Sequence, residues 1–149
     1  MAKIRVTKKF EFEMAHALHD YDGLCRTVHG HSYKLDVTVI GTPFTMYGHE
    51  KIGMVIDFSD FKKIVKDLIV DVYDHSLVIS DKENLSSLSE NSGLFNRIHI
   101  VPYQPTCENM ITHFAEILRN IFPGGIQLHS LKLHETANSF AEWFAEDQI

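Results

Sequence analysis

The sequence predicts an α+β fold, an antiparallel four-stranded sheet with two helices packed on one face. Two stretches alternate apolar and polar residues with the period of a strand, at 3–16 and 31–40. Two others, at 61–72 and 110–121, repeat apolar residues at helical spacing. Their order, strand, strand, helix, strand, helix, strand, contains no repeat and no linker, so residues 1–149 are read as a single domain.

In the first stretch, Ile4, Val6, Phe10, Phe12 and Met14 share one face, opposite Lys3, Arg5, Lys9, Glu11 and Glu13. In the second, Tyr33, Leu35, Val37 and Val39 oppose Ser32, Lys34, Asp36 and Thr38. Antiparallel pairing across the Asp20–Gly23 region follows. A short extended piece, GMVIDF (53–58), leads into the first helix, with Phe61, Ile64, Val65, Leu68 and Val72 on its apolar face. Asp57 or Ser59 caps it. Residues 80–97 are polar and serine-rich and read as a long loop with one short helix. A brief strand, IHIVP (98–102), precedes the second helix, which Thr106 caps and Pro123-Gly124-Gly125 stops. Met110, Ile111, Phe114, Leu118 and Ile121 form its apolar face. The last strand runs from about Ile126 to Thr136.

Composition narrows the function. A net charge of −6 argues against a nucleic-acid partner, which would show a basic patch. No apolar run is long enough to span a bilayer, and the N-terminus lacks the apolar stretch of a secretory signal. Two cysteines do not make a disulfide scaffold, so a reducing, cytoplasmic setting is expected. Residues 1–34 nevertheless carry six Lys/Arg against four acids, which would draw an anionic small molecule to that end.

The same end carries CRTVHGHSY (25–33). His29 and His31 are two apart on a strand, so both project from one face, the one that continues through Tyr33 and Leu35. His16 falls on the apolar face of the first strand. Three imidazoles on two pairing strands leave a fourth tetrahedral position open, the arrangement of catalytic zinc. The opposing reading, that each is a half-buried histidine satisfied by a carbonyl, weakens when three share one face. Part of a cupin metal motif is present, but its second half is absent and the two helices contradict an all-β barrel.

Other polar groups occupy apolar places. Cys25 sits in a turn beside Arg26, near the histidines, where positive charge lowers a thiol pKa; Cys107, at a helix start, reads as structural. Asp74-His75 ends the first helix, and a carboxylate beside an imidazole sets its tautomer. Glu135 continues the face of Leu131 and Leu133, where an unpaired carboxylate is costly. It needs either a Lys or Arg within the fold or a ligand with two adjacent N–H donors. Glu108 lies in a helix first turn, where the macrodipole favours an acid.

Together, A-H (15–16), C-x-x-x-H-G-H (25–31), G-M-V-x-D-F (53–58), D-H (74–75), P-T-x-E-N (105–109) and H-E-T (134–136) resemble the 6-pyruvoyltetrahydropterin synthase family, over about residues 4–137. The three-residue gap between Cys25 and the HGH is similar to its bacterial, carboxy-forming branch. The resemblance implies the tunnelling fold (T-fold), in which sheets of several subunits close an oligomeric β-barrel, typically a homohexamer built as a dimer of trimers. It implies zinc held by His16, His29 and His31, and proton transfers by Cys25, Asp74 and His75. It implies that Glu135 binds the pterin edge, helped by Thr106 and Glu108 of a neighbouring chain. The implied reaction converts 7,8-dihydroneopterin triphosphate to 6-carboxy-5,6,7,8-tetrahydropterin in queuosine biosynthesis, with release of triphosphate and acetaldehyde. Arg26, Lys34, Lys8 and Lys9 are the candidates for the triphosphate. Two alternatives stay open: a synthase stopping at the pyruvoyl product, and a pterin- or metal-binding module without turnover.

Overall fold

The computed structural model describes residues 1–88 and 93–149. Two long strands, β1 (Ile4–His16) and β2 (His29–Gly41), pair antiparallel without interruption, from Ile4 opposite Gly41 to His16 opposite His29. Phe10, Phe12 and Met14 are buried on one face of β1 while Glu11 and Glu13 stay outside, so the alternation holds. Phe12 stacks on Tyr33 across the pair at 5.4 Å between ring centroids.

The sheet differs from the expected one. It has six strands, ordered β4-β3-β1-β2-β5-β6, and it is mixed. Strand β3 (Ser76–Ser80) runs parallel to β1 and pairs parallel with β4 (Ile98–Val101). All five residues of β3, SLVIS, are buried, so it shows no alternation of buried and exposed positions. At the other edge, β5 (Gln127–Thr136) pairs antiparallel with β2 and with β6 (Ser139–Phe144), a hairpin partner beyond the predicted last strand. The predicted extended piece at 53–58 forms no strand; the Phe44 N–H donates to the Met54 carbonyl and the Gly53 N–H to the Phe44 carbonyl, which closes a loop over 44–54 with Gly53 at φ +83°.

The first helix begins as α1 (Phe58–Val65), capped by Asp57, whose carboxylate accepts the Ser59 N–H at 2.7 Å. It widens into a π-helical stretch, Lys66–Val70, and finishes as α2 (Asp71–Tyr73). The π stretch turns the apolar face. Phe61 and Val65 are buried as predicted, but beyond them Ile69, Val70 and Tyr73 enter the core, while Leu68 and Val72 are only half-buried. The second helix, α3 (Cys107–Leu118), is capped by the Thr106 hydroxyl, which accepts the Asn109 N–H at 3.3 Å. Met110, Phe114 and Leu118 are fully buried, and Phe114 meets Phe12 edge-on at 6.1 Å. Each such buried side chain contributes about 1.5–3 kcal/mol of transfer free energy. The helices therefore clamp the middle of the sheet and leave the His16 end of β1 framed by β2, β3 and the start of α3. Of the long 80–97 segment, Leu85–Ser87 forms a short 3-10 turn, and 89–92 lie outside the described residues.

Candidate active site

His16 ends β1 directly opposite His29, and Met14 stands opposite His31, so the β1–β2 register brings the three imidazoles together. Their ring centroids are 4.5, 5.2 and 5.0 Å apart, and one nitrogen from each lies within 4.8 Å of the others. His16 is only 2% exposed because β3 covers its other side.

Backbone carbonyls orient two of the rings. His16 Nδ1 donates to the Pro105 carbonyl at 2.7 Å, and His29 Nδ1 donates to the Thr27 carbonyl at 2.7 Å. A carbonyl only accepts, so both protons sit on Nδ1. The two Nε2 atoms then face each other at 3.0 Å with lone pairs that cannot bond to one another. A cation resolves that opposition. Burial, the larger influence, holds His16 below the usual imidazole pKa despite the Pro105 and Glu135 contacts that raise it, so a proton is a poor candidate. Three imidazoles, two of them oriented by a backbone carbonyl on the outer nitrogen, fit a divalent transition ion with one open position.

Glu135 sits beside this cluster, near the end of β5 where the pairing with β6 shifts register. Its Oε1 lies 3.5 Å from His16 Nε2 and 4.0 Å from His31 Nε2. The Tyr33 hydroxyl donates to the same oxygen at 3.5 Å. Burial, and then the nearby Glu135 charge, push the Tyr33 phenol well above its ordinary pKa, so it stays a donor. Among the described residues no Lys or Arg pairs with Glu135. From sequence Tyr33 reads only as a core residue. Its place on the His29–His31 face is the signal that points to the site.

The Asp74–His75 pair follows α2. His75 Nδ1 lies 3.0 Å from Asp74 Oδ2, and Asp74 Oδ1 accepts the Glu13 N–H at 2.8 Å. That backbone bond is the main reason the Asp74 carboxyl lies below the usual carboxylate range. His75 takes the left-handed conformation, φ +57°, uncommon for a residue with a side chain. Its N–H donates to Glu13 O, which ties the turn to β1. Together with Glu13, His31 and Ser32, His75 borders an open cavity of about 480 Å³, completed by Phe95 and Arg97.

Cys25 does not border that cavity. It lies half-buried in a 3-10 turn, Leu24–Arg26, whose carbonyl at Cys25 accepts the Leu18 N–H at 2.9 Å. Cys107 is buried, its thiol donating to the Leu133 carbonyl at 3.3 Å and pushed up to about 11, chiefly by burial. The same contact ties the start of α3 to β5 within one chain; Thr106 caps that helix and Glu108 is exposed in its first turn.

The proposed triphosphate candidates are engaged elsewhere. Arg26 pairs with Asp20 at 3.3 Å, Lys34 with Glu11 at 3.8 Å and Lys9 with Asp36 at 3.6 Å, while Lys8 lies over the Phe58 ring. None borders the cavity that holds His31 and His75. Arg97 does, and sequence reasoning missed it. A single arginine in an aperiodic loop carries no signal of its own.

Comparison with known proteins agrees with this geometry. The family model described as 6-pyruvoyl tetrahydropterin synthase matches residues 5–146. A Haemophilus influenzae protein named 6-carboxy-5,6,7,8-tetrahydropterin synthase is 35% identical, covering 93% of this chain and 97% of its own. A Pyrococcus furiosus protein named dihydroneopterin monophosphate aldolase is 31% identical, covering 95% and 99%. The Caenorhabditis elegans 6-pyruvoyl tetrahydropterin synthase structure superposes with a TM-score of 0.69 at 21% identity, covering 97% of each chain, so the fold is shared. The chain belongs to the 6-pyruvoyl tetrahydropterin synthase family, whose named members are lyases of pterin metabolism.

Proposed function

We propose that the chain is a zinc-dependent lyase that converts 7,8-dihydroneopterin triphosphate to 6-carboxy-5,6,7,8-tetrahydropterin, releasing triphosphate and acetaldehyde, in queuosine biosynthesis. The observation that carries this reading is Glu135 standing 3.5 Å from His16 Nε2, which joins a three-imidazole set to an acceptor that no Lys or Arg among the described residues neutralises. The relatives named for the carboxy product supply the choice of branch.

In this reading Glu135 accepts two adjacent N–H groups of the pterin ring, held in position by the Tyr33 hydroxyl. Thr106 and Glu108 of a neighbouring chain add polar contacts from the start of its α3. Zinc at His16, His29 and His31 would acidify the side-chain hydroxyls of the substrate as a Lewis acid. Asp74 stays ionised and keeps the His75 Nδ1 proton, so His75 Nε2 is the atom that exchanges protons with the substrate. Cys25 removes a side-chain proton as the thiolate. Its separation from the His75 cavity within one chain suits a site completed by a second subunit. Both outer strands, β4 and β6, leave an open sheet edge. Closing those edges in a homohexamer, a dimer of trimers, removes unpaired backbone groups.

Product analysis tests the reaction. Incubation with dihydroneopterin triphosphate should release acetaldehyde stoichiometrically with the carboxy product. A pyruvoyl product without acetaldehyde would move the protein to the pyruvoyl branch, and cleavage of the monophosphate in preference would favour the aldolase-like relative. A protein inert to all of these would be a binding module.

A further inference from the structure

Arg97 differs from the other basic residues near the site in how its charge is held. Its Nε donates to the Asp74 carbonyl at 3.1 Å, and its Nη2 donates to the carbonyls of Asp71 and Val72 at 2.7 and 3.0 Å. Carbonyl dipoles stabilise a guanidinium without neutralising it, so the full positive charge remains. Among the described residues no carboxylate lies within ion-pair distance of Arg97, although its charge helps to lower the Asp74 carboxyl, and Nη1 has no protein acceptor. It is also the one Lys or Arg among the described residues that border the His31–His75 cavity. Three acceptors on two nitrogens fix the plane of the group, and a fixed guanidinium with a free N–H edge suits phosphoryl oxygens. Glu13 borders the same cavity, but its carboxylate accepts the Ser32 hydroxyl at 2.8 Å.

We propose that Arg97 anchors the phosphate chain of the substrate in the cavity it shares with His31 and His75. Nη1 holds phosphoryl oxygens, while Nε and Nη2 hold the turn that carries Asp74 and His75. One side chain therefore binds the leaving group and positions the proton-transfer pair. The assignment rests on the proposed substrate being a phosphorylated pterin, and it displaces Arg26, Lys34, Lys8 and Lys9 from this role. The shared chemistry is a phosphoryl group, from either a monophosphate or a triphosphate.

Calorimetry with three probes tests the assignment on the metal-loaded wild type and on Arg97→Gln and Arg97→Lys of equal metal content, so that chelation is common to all. The probes are inorganic tripolyphosphate, inorganic phosphate and neopterin, which lacks phosphate. Arg97→Gln should weaken tripolyphosphate by about tenfold or more, as expected for loss of a charged hydrogen-bond donor, while neopterin stays within about twofold. Arg97→Lys should recover part of the loss. Stronger Arg97-dependent binding of tripolyphosphate than of phosphate supports an anchor for the chain, and equal binding supports an anchor for one phosphoryl group. Unchanged tripolyphosphate affinity in Arg97→Gln would overturn the proposal. So would a parallel loss of neopterin, since the residue would then only support the turn. A wild type that binds tripolyphosphate through Arg97 but not neopterin would leave the anchor standing and remove the pterin reading.

Discussion

The imidazole cluster and the Asp74–His75 turn reach one cavity through His31 and His75 alone, and they are built by opposite means. The cluster ends a pair of thirteen-residue strands in unbroken register, and backbone carbonyls orient two of its three rings. His75 stands in a left-handed turn with its side chain 75% exposed, held by Glu13 on one side and Arg97 on the other. Metal binding requires fixed distances between donors, which paired strands provide. Proton exchange requires access to substrate and solvent, which a turn provides at the cost of backbone strain.

The comparison breaks most visibly if the metal does not depend on the strands. A His29→Ala/His31→Ala double variant should fall from about one zinc per chain to almost none by elemental analysis, with turnover down by about three orders of magnitude or more. His75→Ala should lower kcat by about 10²–10⁴ while its metal content stays at wild-type level. Loss of zinc in that variant would mean that the two regions are not separable.

Smaller effects sharpen the contrast. Tyr33→Phe removes the hydroxyl that holds Glu135, a bond worth about 1 kcal/mol, so KM for the pterin should rise several-fold with kcat nearly unchanged. The two cysteines divide in the same way. At pH 8, iodoacetamide should label Cys25 in its half-buried turn and spare Cys107, as read by peptide mass spectrometry. The Cys107 thiol is raised in the fold to about 11, above its unfolded value of about 8.5. Its contribution to stability is therefore complete below about pH 8.5 and is lost as the pH rises through about 11. Denaturant midpoints at pH 8 and 10.5 should diverge less in Cys107→Ala than in the wild type. The smallest effect is at acid pH. Asp74 is lowered in the fold, so its contribution is present above about pH 3.9 and is lost as the pH falls through its folded value. Asp74→Asn should flatten that acid limb in a pH series of melting curves.

How far each feature could be read depended on the distance over which it is specified. The faces of β1 and β2, the caps Asp57 and Thr106, and the shared face of the three histidines rest on residues a few positions apart. The pairing of His16 with His29 needs only a hairpin and its register. Strand β3 is hard to read because five buried residues carry no period, and β6 because only Trp143 of its six residues is buried. The π-helical stretch rotated a correctly placed helix by adding to its turn, which sequence spacing does not reveal.

The sequence by itself determined the α+β class, the hairpin at the centre of the sheet and the residue types of the site. Those properties follow from alternation, capping and the placing of polar groups on apolar faces, all local. Tertiary structure alone decided that β3 and β4 lie parallel to β1, that Pro105 orients His16, that Tyr33 holds Glu135 and that Arg97 enters the cavity with His75. Each of these joins residues far apart in the chain through backbone carbonyls or a single hydroxyl. Such contacts place few demands on the identity of the neighbouring residues, and so leave little trace in the order of the amino acids.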